Sequence, residues 1–158
     1  MPQTLPPPTD AEIDAIIVPL KDLEGPLLPM LHALQAAFGH ISSAAIARLS
    51  HLLNMTKAEV HGVVSFYHDF RERPAGRHVV KICRAESCQA VGGDVLAAET
   101  LARLGLDWHG TTADGRLTVE PVYCLGMCAC GPAALVDDTV VGRLDATRLE
   151  QILTEARA

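Results

Sequence analysis

The hydrophobic period of this chain changes midway, and that change limits its fold more than any other feature. Up to Phe70 apolar residues recur every three or four positions; from His78 onward they fall into short runs closed by Gly, Pro or Asp. The first period belongs to helices and the second to strands, so one continuous type of element cannot serve the whole chain. The change falls at Arg71-Glu72-Arg73-Pro74-Ala75-Gly76, a polar stretch ended by turn formers. The expected class is therefore α+β. A short disordered tail covers residues 1–9, a helical bundle 10–74, and a mixed sheet-and-helix domain 75–158. At 158 residues the chain is long enough for two such lobes.

Local chemistry marks the helices. Thr9 with Glu12, and Thr56 with Glu59, have the spacing of capping boxes. Pro19 predicts the end of the first helix. Gly25-Pro26 opens a second, carrying Leu27, Leu28, Leu31, Leu34, Gln35 and Phe38 up to a stop at Gly39. A third starts near Ser42 or Ser43, presents Ile46, Leu49, Leu52 and Leu53, and ends at Asn54. The fourth carries Val60, Val63, Val64, Tyr67 and Phe70. Four amphipathic helices with short connections read as a small bundle. Val63, Val64, Phe66, Tyr67 and Phe70 exceed what one buried face needs, so bundle core and partner docking are both expected uses of this region.

In the second half, His78 to Cys83 and Leu117 to Val122 read as strands, and Gln89 to Leu104 as a helix stopped by Gly105. Gly92-Gly93 weakens that helix near its start. Leu106 to Asp114 reads as a polar loop. Ala133 to Val136 and Thr139 to Gly142 flank Asp137-Asp138 as a tight hairpin, and Asp145 caps a last helix with Leu149, Ile152 and Leu153.

Composition removes several functions. Hydrophobic residues at 49% and charged residues at 20% describe a globular chain. Its net charge of −6 is evenly spread, with 8 acids against 5 bases up to Pro74 and 11 against 8 after it, so nucleic acid is not an expected partner. Aromatics at 4% leave little ring area for base stacking. The apolar runs fall far short of the roughly 20 residues that cross a bilayer. The start MPQTLPPPTD lacks the basic and apolar blocks of a signal peptide. The expected location is a reducing cytoplasm, without direct membrane contact.

All five cysteines lie after residue 80. Cys83 and Cys88 form a C-x4-C pair at the end of one predicted strand. Cys124 and Cys128 form a C-x3-C pair at the end of another, and Cys130 is left over. If those strands are neighbours, four thiols meet at one end of the sheet. Such a set can hold zinc, pair as disulfides, or bind a [2Fe–2S] cluster whose irons each take two thiolates. Gaps longer than a zinc knuckle favour the cluster, and Gly126 and Gly131 allow close backbone approach. Zinc and redox dithiols remain as alternatives at this point. His61 and His68, seven apart, are separated by about 10 Å along a helix, too far to share a metal. Glu86 reads as solvated loop charge. Trp108 is an anchor for the fold or for a partner, Pro132 is a candidate cis residue, and Asp137-Asp138 reads as turn chemistry rather than a calcium loop.

With these residues identified, CRAESC and CLGMC resemble the thioredoxin-like [2Fe–2S] ferredoxin domain of the small iron–sulfur subunit of complex I. LHALQAAFGHIS and AEVHGVVSFYHDF resemble the helical region of the same subunit class. The resemblance implies an N-terminal helical bundle followed by that ferredoxin domain, carrying one cluster on Cys83, Cys88, Cys124 and Cys128. Cys130 matches no ligand and is expected beside the cluster as a small apolar side chain. The class includes subunits of complex I, of NAD(P)-linked hydrogenases and of NAD-dependent formate dehydrogenases. CLGMCACGPAALVDDTVVGRL is most similar to the gamma subunit of the soluble molybdenum-containing formate dehydrogenases, because Ala129-Cys130-Gly131-Pro132 replaces the Asn-Ala-Pro type turn more usual in complex I. This implies a non-catalytic electron-transfer subunit. FMN and NAD would be held by one partner subunit and a molybdenum cofactor by another.

Overall fold

The computed structural model describes residues 7–157, and the start of the predicted tail lies outside them. Its described residues divide into two units between Pro74 and Ala75.

The first unit is helical. Helix α1 (Asp10–Ile17) begins at a complete capping box: Thr9 Oγ1 accepts from the Glu12 N–H, and Glu12 accepts from the Thr9 N–H at 2.8 Å. Thr9 therefore belongs to the helix start rather than to a free tail. A 3-10 turn at Val18–Leu20, with Pro19 in its first positions, ends the segment. Helix α2 (Leu27–Phe38) stops at Gly39, whose φ of 74° lies in the left-handed region. Helix α3 (Ser43–Leu53) is capped by Ser42 and ended by left-handed Asn54. Helix α4 (Lys57–Phe66) starts at the Thr56–Glu59 box. Ile13, Ile17, Met30, Leu31, Leu34, Leu49 and Val60 form the fully buried centre.

Helix α4 is shorter than its apolar pattern predicts. Tyr67 is already extended, and buried Phe70 lies in the following loop. Gln35 explains how that loop is held. Its amide nitrogen donates to the Asp69 carbonyl at 2.6 Å and its oxygen accepts from the Arg71 N–H at 2.7 Å. The Arg71 carbonyl accepts from the Ile41 N–H. These bonds satisfy backbone that a longer helix would otherwise satisfy internally.

The second unit is built on a five-stranded sheet in the order β2-β3-β1-β4-β5. Strand β1 (His78–Cys83) pairs in parallel with β3 (Leu117–Val122) and antiparallel with β4 (Ala134–Val136). Strand β2 (Gly110–Thr111) edges β3, and β5 (Thr139–Val141) edges β4. Strand β2 lies inside the stretch expected to be loop; two residues carry no readable alternation, and pairing with β3 alone makes them a strand. Val80, Ile82, Leu117, Val119 and Ala134 meet Leu96, Ala97 and Leu101 of one helix and Leu149 and Leu153 of another in one core.

The single helix expected over residues 89–104 is two: α5 (Glu86–Ala90) and α6 (Gly93–Leu104). They break at Gly92, with φ at 90°. Gly93 permits the corner, since a Cβ there would lie 2.6 Å from the Cys88 carbonyl oxygen. The β4–β5 turn places Asp137 in the left-handed region, with its carboxylate accepting from the Val79 N–H at 2.8 Å. Asp145 caps α7 (Ala146–Arg157) through the Arg148 N–H. Among the described residues no helix is long and apolar enough to cross a membrane.

Candidate metal centre

The site follows from the β1–β3 pairing. Parallel neighbours end at the same edge of a sheet, and Cys83 stands opposite Val122 in the register. The loops carrying Cys88 and Cys124 therefore start side by side. Two backbone bonds fix the junction: the Arg84 N–H donates to the Val122 carbonyl at 2.8 Å, and the Cys83 N–H to the Ala133 carbonyl at 2.9 Å.

The thiols divide by environment. Cys83 and Cys88 are each only 2% exposed. Cys124 and Cys128 are exposed, with their sulfurs 4.0 Å apart. Cys124 takes a left-handed φ of 86°, Gly126 one of 74°, and the Gly126 N–H donates to the Cys124 sulfur at 3.4 Å. Cys128 opens a 3-10 turn over Cys128–Cys130. Half-buried Cys130 lies farther along, donating its N–H to the Met127 carbonyl and accepting from the Arg143 N–H.

Burial pushes the Cys83 thiol up, but hydrogen bonds from the Ala85 N–H, the Cys88 thiol and the N–H groups of Cys124 and Leu125 outweigh it, and its pKa falls below the ordinary thiol value. Burial also raises Cys88, and the neighbouring Cys83 raises it further against one opposing bond from the Ala133 N–H. One sulfur is thus prepared to be a thiolate, inside a ring of amides drawn from both loops.

Among the described residues no three His, Cys, Asp or Glu side chains close around a single ion. The thiols pair as Cys83 with Cys88, which are hydrogen-bonded and buried, and Cys124 with Cys128, which are exposed, and Cys128 is near enough to Cys88 to raise its pKa. That suits a dinuclear cluster, in which each iron takes two thiolates, better than a tetrahedral zinc. Backbone also runs close to the site: a Cβ on Gly131 would lie 3.4 Å from the Cys88 sulfur and 3.3 Å from Val91 Cγ2, so a side chain there would press on Val91 beside the buried thiol. Close backbone approach at Gly131 was anticipated from the sequence, whereas the role of Gly93 and the particular amides of Ala85, Cys124 and Leu125 that meet Cys83 were not; the Gly92-Gly93 pair beside the first cysteine loop was the available signal for Gly93.

The other candidates resolve simply. His61 bonds Glu72 at 3.0 Å on an exposed surface. Glu86 is exposed. Trp108 packs against the sheet core with the Arg84 guanidinium 5.3 Å above its ring, so it anchors the fold. The Gly131–Pro132 bond is cis.

Fold and site define the class: an α+β protein with a thiol-rich centre, built from two sheet loops, of the kind that suits a dinuclear iron–sulfur group. A family model described as thioredoxin-like [2Fe–2S] ferredoxin matches residues 13–157. HndA, a subunit of the NADP-reducing hydrogenase of Solidesulfovibrio fructosivorans, is 30% identical over 151 residues, spanning 96% of this chain and 88% of its own length. A subunit of the NADH-quinone oxidoreductase of Rhizobium meliloti is 31% identical over 147 residues, spanning 93% of this chain and 88% of its own. An NAD+-reducing [NiFe]-hydrogenase in its H2-reduced state matches with a TM-score of 0.66 at 28% identity, covering 80% of this chain and 22% of the longer hydrogenase chain. The chain belongs to the thioredoxin-like [2Fe–2S] ferredoxin family, and its cofactor is one [2Fe–2S] cluster.

Proposed function

We propose that this chain is the electron-transfer subunit of an NAD-linked oxidoreductase complex, with Cys83, Cys88, Cys124 and Cys128 as cluster ligands. The observation that carries this reading is the parallel β1–β3 pair, which brings a buried thiol pair and an exposed one to the same sheet edge. A four-thiolate [2Fe–2S] cluster, when bound, supplies one-electron acceptance and release at a low potential, near about −400 mV for plant-type centres.

The chain's own groups set the conditions for that exchange. Cys83 and Cys88 exclude water from one side of the site. The N–H groups of Ala85, Cys124 and Leu125 offset negative charge on the Cys83 sulfur. Cys124 and Cys128 leave the opposite side open to a partner. The helical unit is the docking region. It carries an apolar groove of about 380 Å³ lined by Leu27, Leu28, Leu53, Met55, Val63 and Tyr67, with Phe66 72% exposed nearby in the sequence.

The partners are a subunit holding FMN and NAD and a catalytic subunit holding a molybdenum cofactor, making the whole a cytoplasmic formate dehydrogenase. Ala129-Cys130-Gly131-Pro132 supports this choice of assembly. A second reading, a complex I or hydrogenase subunit, is supported by the hydrogenase and quinone-reductase relatives. Metal analysis of the complex purified through this chain separates them: molybdenum indicates formate, nickel indicates hydrogen, and membrane subunits indicate quinone. The ligand set is tested by changing each cysteine to serine and counting iron. Cys83, Cys88, Cys124 and Cys128 variants lose the cluster signal, and Cys130→Ser keeps it; an empty Cys130 variant overturns the assignment.

A further inference from the structure

We propose that Cys124 and Cys128 form a reversible disulfide lock on cluster loading: in the cluster-free chain a low-molecular-weight disulfide such as oxidised glutathione oxidises this pair, which then cannot take up iron until reduced. The inference rests on the reading of these two residues as ligands. Their geometry separates them from the other thiols. The sulfurs are 4.0 Å apart in a surface loop. A bond of about 2 Å needs only side-chain rotation and a small closure of that loop. Gly126 and left-handed Cys124 already turn the loop back on itself, and the Gly126 N–H fixes the attacking sulfur.

The remaining cysteines are poor competitors. Cys83 and Cys88, each 2% exposed, are closed to a reagent the size of glutathione. Cys130 is half-buried, with Gly142 against its Cβ and its carbonyl held by the Arg143 N–H.

The exchange balances without further reactants. The Cys124 thiolate attacks one sulfur of the reagent, the reagent's S–S bond breaks, and one thiolate leaves, taking up the proton Cys124 released. Cys128, as its thiolate, then attacks the Cys124 sulfur of the mixed disulfide and expels the second thiol. Two cysteine sulfurs are oxidised and one small disulfide is reduced to two thiols. A dithiol reverses both steps.

Peptide mapping of the full chain tests the lock. Cleavage after Lys and Arg places Cys124, Cys128 and Cys130 together on the peptide Leu117–Arg143, and Cys83 and Cys88 on two others. After iron removal and oxidised glutathione, the Leu117–Arg143 peptide loses two hydrogens in the parent chain and also in Cys130→Ala. Incorporation of iron from ferrous salt and sulfide falls at least tenfold and returns with dithiothreitol. A link between the Cys83 and Cys88 peptides, a stable glutathione adduct, or undiminished iron uptake by the oxidised chain overturns the lock. Iron counted in Cys124→Ser judges the ligand reading separately: a variant that stays empty while the parent forms no disulfide sinks the lock alone, and a variant that fills normally sinks both.

Discussion

Asp114 shows how much one exposed carboxylate organises. It accepts from the Thr112 hydroxyl, from the Arg116 N–H at 3.1 Å and from Arg157 Nη2 at 3.4 Å. The Thr112 hydroxyl first, then the Arg116 amide, with Arg157 adding less, hold its pKa at about 2. The folded value lies below the unfolded one, so this contribution is fully present above the ordinary carboxylate range and disappears as pH falls through about 2. A carboxyl-carbon NMR titration should find that midpoint, and Thr112→Val should move it upward; an unmoved midpoint refutes the Thr112 contact. The two caps give a simpler test. Thr9→Ala and Thr56→Ala each remove a side-chain acceptor for a helix-start amide, and urea unfolding should register a loss of about 1 kcal/mol for each.

At the scale of elements, the corner between α5 and α6 links fold to site. Gly92 and Gly93 are neighbours with different duties. A side chain at Gly92 meets nothing within 4 Å but must adopt a φ of 90°, so Gly92→Ala should cost about 1 kcal/mol. Its iron content should stay at the parent value. Gly93→Ala places its Cβ 2.6 Å from the Cys88 carbonyl and must displace the turn that carries Cys88. Its iron per chain should drop and its visible circular dichroism should change, and the reverse pattern between the two variants would contradict the packing. The same corner marks the boundary of what the sequence discloses. Capping boxes, the Asp137 turn and the strand ending in Cys83 were legible because the residues that decide them are adjacent in the chain. The two-residue β2 and the early end of α4 were not, because distant partners decide them: β3 for β2, and Gln35 for the Asp69–Arg71 loop. The helix break is local and Gly92-Gly93 marked it as a weak point, but the close packing of Gly93 on the Cys88 carbonyl that makes it a corner has no letter in the sequence. The cysteine pairs could be read from spacing. The amides around Cys83 could not, since a backbone N–H has no letter of its own and only the β1–β3 register reveals where it points.

The described residues form two units, each with its own buried core, and the proposed assignment gives the cluster to one and docking to the other. All five cysteines lie after Pro74, as do the amides found bonded to them among the described residues, so the proposed assignment predicts that chemistry and assembly are separable by mutation. Phe66 is the sharpest probe. At 72% exposed it contributes little to its unit's interior, yet it packs edge-on against Tyr67 with ring centres 5.1 Å apart. Large aromatic side chains of this kind carry a disproportionate share of binding energy at protein interfaces. Phe66→Ala should therefore leave the iron count, the visible spectrum and the thermal midpoint of the isolated chain within error of the parent. Its affinity for the proposed flavin-bearing partner should fall at least tenfold, about 1.4 kcal/mol, as measured by titration calorimetry or by the fraction retained on a column. A variant that binds like the parent would move docking away from the end of α4. A variant that loses iron would show that residues before Pro74 support the cluster fold directly, and the separation of duties would fail.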